Sequence, residues 1–208
     1  MFLVQRFIEE FTDLAGRDGW TAGFVEDGFA LFARPHGEGL HAEIGLDVTP
    51  RESGLSLNPS IGVRHVGISE LTARLFGLKR GATPVGTFLS SLVPASEDGG
   101  RTRWAVHEEN ELTPVSQRIL TDVETYGTLF FSPYSSLRDL IDSLADKAKL
   151  DFELGHLAVA YTVAGEVDEG RAVLSRLEDR AREQPPPAAE QTQGFLAAYR
   201  QHFGVVDN

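Results

Sequence analysis

The sequence predicts an α+β protein, an antiparallel meander sheet packed by helices and followed by a C-terminal helical segment. Three observations carry this expectation. Short runs of alternating apolar and polar residues follow one another between about residues 20 and 110, which is the period of half-buried strands. Beyond about residue 112, apolar residues recur every three or four positions, the period of a helix buried on one side. The 208 residues are 41% hydrophobic and 24% charged, a balance that lets a chain of this length build a core unaided. The expected organisation is a sheet domain over 1–134 with a helical segment over 135–208 packed on it as one compact unit.

The elements follow in order. Leu3, Phe7, Phe11 and Leu14 recur at helical spacing, with Glu9, Glu10 and Asp13 on the other side. That predicts an amphipathic helix over 3–14, ending near Gly16 and Gly19. Two short β-rich runs flank Asp27 and Gly28, a strong hairpin signal. In "LHAEIGLDVTP", Leu40, Ala42, Ile44, Leu46 and Val48 share one face, and His41, Glu43, Gly45 and Asp47 the other. One buried face and one wet or lightly covered face are expected. "SGLSLNPSIGVRHVG" predicts a strand interrupted or bulged near Asn58 and Pro59, because proline donates nothing to a ladder. "RTRWAVHEE" is a fifth strand candidate, and Trp20 and Trp104 are placed in the core.

The second half predicts helices. One stripe is Val115, Ile119, Val123, Tyr126 and Phe130; a second is Leu137, Leu140, Ile141, Leu144 and Ala148. Ser132 and Pro133 separate the two. Asp122 and Glu124 are placed on a solvated helix face. Tyr126, Phe130, Phe131 and Tyr134 crowd around Gly127 and Pro133 as aromatic glue. The three prolines of "RAREQPPPAAEQT" are expected to form a stiff connector between two further helices.

Net charge bounds the partners. The chain carries 31 acidic against 19 basic side chains, a formal charge of −12. Phosphate backbones and anionic membranes are disfavoured, because counterion release needs Lys and Arg. A basic protein partner is favoured. The apolar start is broken at Gln5 and Arg6, and no run approaches the length of a membrane span, so the expected location is the cytoplasm. With no cysteine, a disulfide or a cysteine-rich zinc site is ruled out.

Chemistry-bearing motifs are scarce. The six histidines, at 36, 41, 65, 107, 156 and 202, lack helical metal-ligand spacing. "GEGLHA" matches G-x-G-x-x-A in form, but a strand follows it where the dinucleotide motif needs a helix. No P-loop and no nucleophile elbow occurs. No catalytic, metal or cofactor-binding residue is assigned, and no cofactor is expected. The stretch most like a site is "GVRHVGISELTARLFGL", residues 62–78. In a strand, His65 shares a face with Ile61 and Val63, and Arg64 takes the other. Ser69 is expected to cap a helix starting near Glu70, with Leu71, Leu75 and Leu78 inward. A strand running into a capped helix accounts for each residue. The alternative is that Arg64 binds an anion or a partner carboxylate. Arg64, His65, His41, Glu43 and His107 are the candidate partner- or ligand-binding residues.

Two resemblances follow. Leu157, Ala158, Tyr161, Gly165, Asp168 and Glu169 stand where a tetratricopeptide repeat has its leucine, small residue, tyrosine, turn glycine and acidic pair. Residues 151–184 thus resemble one such repeat, departing from it at Gly170, where alanine is usual, and at the late Pro185. The resemblance implies a helical hairpin and its packing. In size, acidity and element order the rest resembles the small acidic α+β immunity proteins encoded beside bacterial toxins. Together these readings give a non-catalytic protein-binding module, of the immunity or antitoxin kind. The alternative is an enzyme or small-ligand binder using Arg64, His41 and His107.

Overall fold

The computed structural model describes residues 2–26, 28–94 and 104–204. The chain clusters into two units. One comprises Met1–Gly37, His41–Val63 and Gly86–Tyr134; the other comprises Glu38–Leu40, Arg64–Val85 and Ser135–Asn208. Residues 64–85, expected with the sheet, group with the C-terminal helices instead. The fold is α+β with an antiparallel sheet.

The first unit carries the sheet. Helix α1 (Phe2–Arg17) buries Phe7, Ile8, Phe11, Leu14 and Ala15. Strands β1 (Thr21–Glu26) and β2 (Phe29–Pro35) form the hairpin, with Glu26 opposite Phe29. Gly28 sits at φ +86°, the left-handed region that glycine enters without steric cost. Asp27, the other turn residue, lies outside the described residues. Strands β3 (Leu40–Arg51) and β4 (Gly54–His65) follow, then β5 (Val85–Phe88) and β6 (Ala105–Val106). The sheet runs β1-β2-β3-β4-β5 in chain order, a meander, with β6 also on β4. The α1 side is the core: Phe11 meets Phe32 with ring centroids 4.9 Å apart.

Several strand expectations need correction. β4 runs through Pro59 without a break. Leu57 N donates to Trp104 O, and Gly86 approaches Ile61 O. The odd-numbered residues of β4 therefore address β6 and β5, and Pro59 falls in the gap between those two short strands, where no ladder bond is lost. Of the two alternatives for the second face of β3, the covered one holds in its middle, since Glu43 is 1% exposed and Gly45 is buried. A Cβ on Gly45 would lie 2.6 Å from Ser60 Oγ and 3.7 Å from the Phe29 ring. β5 gave no sequence signal, being four residues long. Of "RTRWAVHEE", only residues 105 and 106 are strand; Arg101, Thr102 and Arg103 lie outside the described residues.

Helix α3 (Leu112–Asp122) continues through a π-helical turn (Val123–Gly127) into α4 (Thr128–Phe131). The wider π turn corrects the expected stripe. Val115, Ile119 and Val123 are buried as expected, but Gly127 and Phe131 take the inward places of Tyr126 and Phe130. A turn of more than four residues keeps an i+4 series on one face. Gly127 packs closely there: a Cβ would lie 3.3 Å from Ile61 Cδ1 and 3.2 Å from the Phe131 ring. Asp122 is not solvated either. It is 3% exposed and accepts the Trp104 indole N–H at 2.8 Å.

The second unit is helical: α2 (Val66–Leu75), α5 (Leu137–Lys147), α6 (Asp151–Val163), α7 (Val167–Glu183) and α8 (Pro186–Phe203). α6 is its centre, with every residue from 154 to 160 buried, as befits a helix apolar on all sides. α6 and α7 form an antiparallel hairpin turned by Gly165 at φ +86°. Phe76, just after α2, stacks on Phe195 of α8 at 4.1 Å, and Gly155 leaves room for its ring. That packing draws residues 64–85 to the C-terminal helices. The proline run corrects another expectation. Pro186 and Pro187 lie in the first turn of α8, where a missing N–H costs nothing, so the connector is only Gln184 and Pro185. Among the described residues no helix is long and apolar enough to cross a membrane.

Candidate binding site

An open cleft of about 1100 Å³ lies in the first unit between α1, the β1-β2 hairpin and the end of β3. Its apolar surface comes from Val4, Ile8, Val25, Val48 and Pro50. Local sequence builds it. Val4 and Ile8 stand one turn apart, one position beyond the stripe of Leu3, Phe7 and Phe11, so the apolar face of α1 is too wide for the sheet beneath. Ile8 is 7% exposed and Val25 51%. Gly28 lets the hairpin tip close on β3, where Val48 N donates to Gly28 O at 2.6 Å. A Cβ there would lie 2.8 Å from Val48 O.

The polar lining has one sign. Glu9, Asp13 and Glu26 line the cleft with Gln5 and Thr12, and none of the described lining residues is basic. Glu9 accepts a hydrogen bond from Gln5 at 3.0 Å. Arg6 of the same helix is turned to Glu109 at 2.9 Å. Among the described residues no Lys or Arg pairs with Glu9, Asp13 or Glu26. An apolar floor lined by acidic residues, with no basic one among the described lining residues, suits a ligand that is both cationic and apolar. The volume exceeds the usual range for an enclosed small-molecule pocket, and the openness fits a chain segment.

The residues singled out from sequence lie elsewhere. His65, the last residue of β4, caps α2: its Nδ1 accepts from Ile68 N at 3.4 Å. The helix thus starts at Val66, four residues earlier than expected. Ser69 is inside it and buried, and its hydroxyl has no hydrogen-bond partner among the described residues. The inward residues are Ile68, Ser69, Thr72, Ala73 and Leu75, while Leu78 is exposed. The imidazole of His65 is half-buried, and that burial lowers its pKa below the ordinary value. Arg64 is half-buried and already partnered. His41 lies opposite Pro35, and Glu43, opposite Ala33, is buried and partnered. His107 is exposed, and its Nδ1–H donates to Ser53 O at 2.9 Å. That carbonyl adjoins the first residue of β4, whereas Arg64 and His65 are its last two. The length of a twelve-residue strand lies between them.

Among the described residues no three His, Asp or Glu side chains come close enough to hold a metal ion. Sequence reasoning missed the cleft. Its signal was present as Val4 and Ile8 beside Glu9 and Asp13, but the acids were read as a solvated face. Comparison with family models, curated proteins and solved structures gives no match for this chain.

Proposed function

We propose that the chain is a non-catalytic protein-binding module whose binding surface is the cleft between α1 and the β1-β2 hairpin, and that it takes a basic segment of a partner protein. The observation that carries this reading is the meeting of apolar Val4, Ile8, Val25 and Val48 with Glu9, Asp13 and Glu26 in one open hollow, no Lys or Arg pairing with the three acids among the described residues. The overall charge of −12 steers a basic partner toward the chain. The reading accords with the resemblance to immunity proteins, for which the partner would be a toxin with a basic site. The catalytic alternative gains no support, because His107 is bonded to the Ser53 carbonyl and placed away from Arg64.

Titration of the isotope-labelled chain with an eight-residue peptide of alternating lysine and valine tests this. Amide shifts are expected to concentrate at residues 4–13, 25–28 and 48–50, and to shrink in the E9Q/D13N/E26Q variant. Equal shifts over the acidic surfaces of α5 and α7 would sink the proposal.

A further inference from the structure

Resting on that reading of the cleft, we infer that the partner segment docks as an added β-strand along the open edge of β1, with alternate basic side chains over the cleft. β1 ends the sheet, and its one neighbour is β2. Sheet edges are normally blunted by shortness, proline or cations. On the far side that rule is kept: β5 has four residues and follows Pro84, and β6 has two. β1 breaks it. It has six residues, Thr21–Glu26, without proline, lysine or arginine. Phe24 is its half-buried residue, and the other five are exposed.

Ladder geometry gives the register. Glu26 and Phe29 close the two-residue turn as a pair, so alternation along the ladder aims the N–H and C=O of Val25 away from β2. The side chain of Val25 shares a face with Ala30 opposite it and lines the cleft. A strand added beside β1 therefore sends every second side chain to the cleft side. There it meets apolar Val4, Ile8 and Val25 beside the acidic Glu9 and Asp13 of α1, and none of the described lining residues is basic. The fitting occupant is an extended segment with lysine or arginine at alternate positions, bound by β-augmentation. The bulge between Ala22 and Phe24 twists the start of β1, so residues 24–26, next to the cleft, set the register.

The test uses the full chain and three labelled peptides in fluorescence anisotropy. The parent is the eight-residue lysine–valine repeat. One isomer is N-methylated at its lysines, the other at its valines. Each keeps the parent's charge and side chains and loses the N–H groups of one edge. One isomer is expected to bind at least tenfold more weakly than the parent, and the other within about threefold. The parent is expected to slow exchange of the Val25 amide. Parent-like binding by both isomers, with binding still weakened by E9Q/D13N/E26Q, overturns strand addition and leaves the cleft reading standing. No binding by the parent, or binding that ignores those three substitutions, overturns the cleft reading and this inference together.

Discussion

Trp104 and Asp122 meet inside the first unit, the indole N–H donating to the carboxylate at 2.8 Å with both residues at most 3% exposed. The bond ties the residue before β6 to the end of α3. A buried donor without its acceptor costs about 1–3 kcal/mol. Asp122→Ala is therefore expected to lower unfolding stability by about that amount in urea. Asp122→Asn, which keeps an acceptor oxygen, is expected to lose less. Equal losses would mean that the bond contributes nothing beyond packing.

Asp151, the first residue of α6, gathers three donors. Arg180 Nε lies at 2.6 Å, Gln184 Nε2 at 2.6 Å and Thr192 Oγ1 at 2.8 Å. These bonds join α6 to the end of α7 and to α8. Burial pushes the Asp151 carboxyl upward, but the bonds from Gln184, Thr192 and Arg180 outweigh it and hold the pKa below the ordinary value of 3.8. The folded form thus binds its proton more weakly than the unfolded form. Its contribution is present above pH 3.8 and is lost as pH falls through the lowered folded value. Asp151→Ala is expected to cost about 2–3 kcal/mol at pH 7, the range for hydrogen bonds to a charged group. The cost should shrink below pH 3.5. A pH-independent difference would contradict the charged role.

His156 sits fully buried in α6, and neither ring nitrogen has a hydrogen-bond partner among the described residues. Burial, aided by the nearby charge of His65, pushes its pKa down to about 3 from 6.5. The ring is therefore neutral in the folded protein at every pH near neutrality. Below pH 6.5 the unfolded chain takes up a proton that the folded chain refuses, so stability falls as pH drops from 6.5 toward 3. At pH 5 the loss is about 2 kcal/mol, from 1.36 kcal/mol per pKa unit. His156→Leu is expected to remove this component. Urea midpoints of the two proteins, compared between pH 7.5 and 4.5, measure it. Parallel curves would show that His156 does not titrate on unfolding.

How much of this was legible depends on the interaction involved. Phe7, Phe11, Ile44 and Leu46 announced their burial through period alone, because each serves one face of one element. Glycines 28 and 165 announced their turns, since few other residues enter that conformation. Glu43, Asp122 and His156 were illegible. A polar residue is buried by what a distant segment brings over it, and no local period records that. Pro59 was misread for the same reason: its tolerance depends on a gap between β5 and β6, which are short and remote in sequence. The cleft was half legible. Val4 and Ile8 broaden the apolar face of α1, but only the hairpin's position shows that they border an open cleft.

The α6-α7 hairpin allows a sharper test at Gly170, a buried glycine inside α7. A Cβ on Gly170 would fall 2.6 Å from Thr162 Oγ1 and 3.2 Å from the Ala158 carbonyl oxygen. Thr162 cannot simply rotate away, because its hydroxyl bonds Tyr199 of α8. Propensity alone predicts that Gly170→Ala, inside α7, gains about 1 kcal/mol. The close approach predicts the reverse, a loss of about 1–3 kcal/mol from overpacking. Adding Thr162→Ala removes the nearer clash together with the Tyr199 bond. If the clash governs, the double variant should lose clearly less than the two single losses combined, since contacting residues are not additive. Chemical denaturation of the four proteins gives the coupling. A stabilised Gly170→Ala would mean that α6 and α7 can part without cost, and that glycine at 170 is not required by their packing.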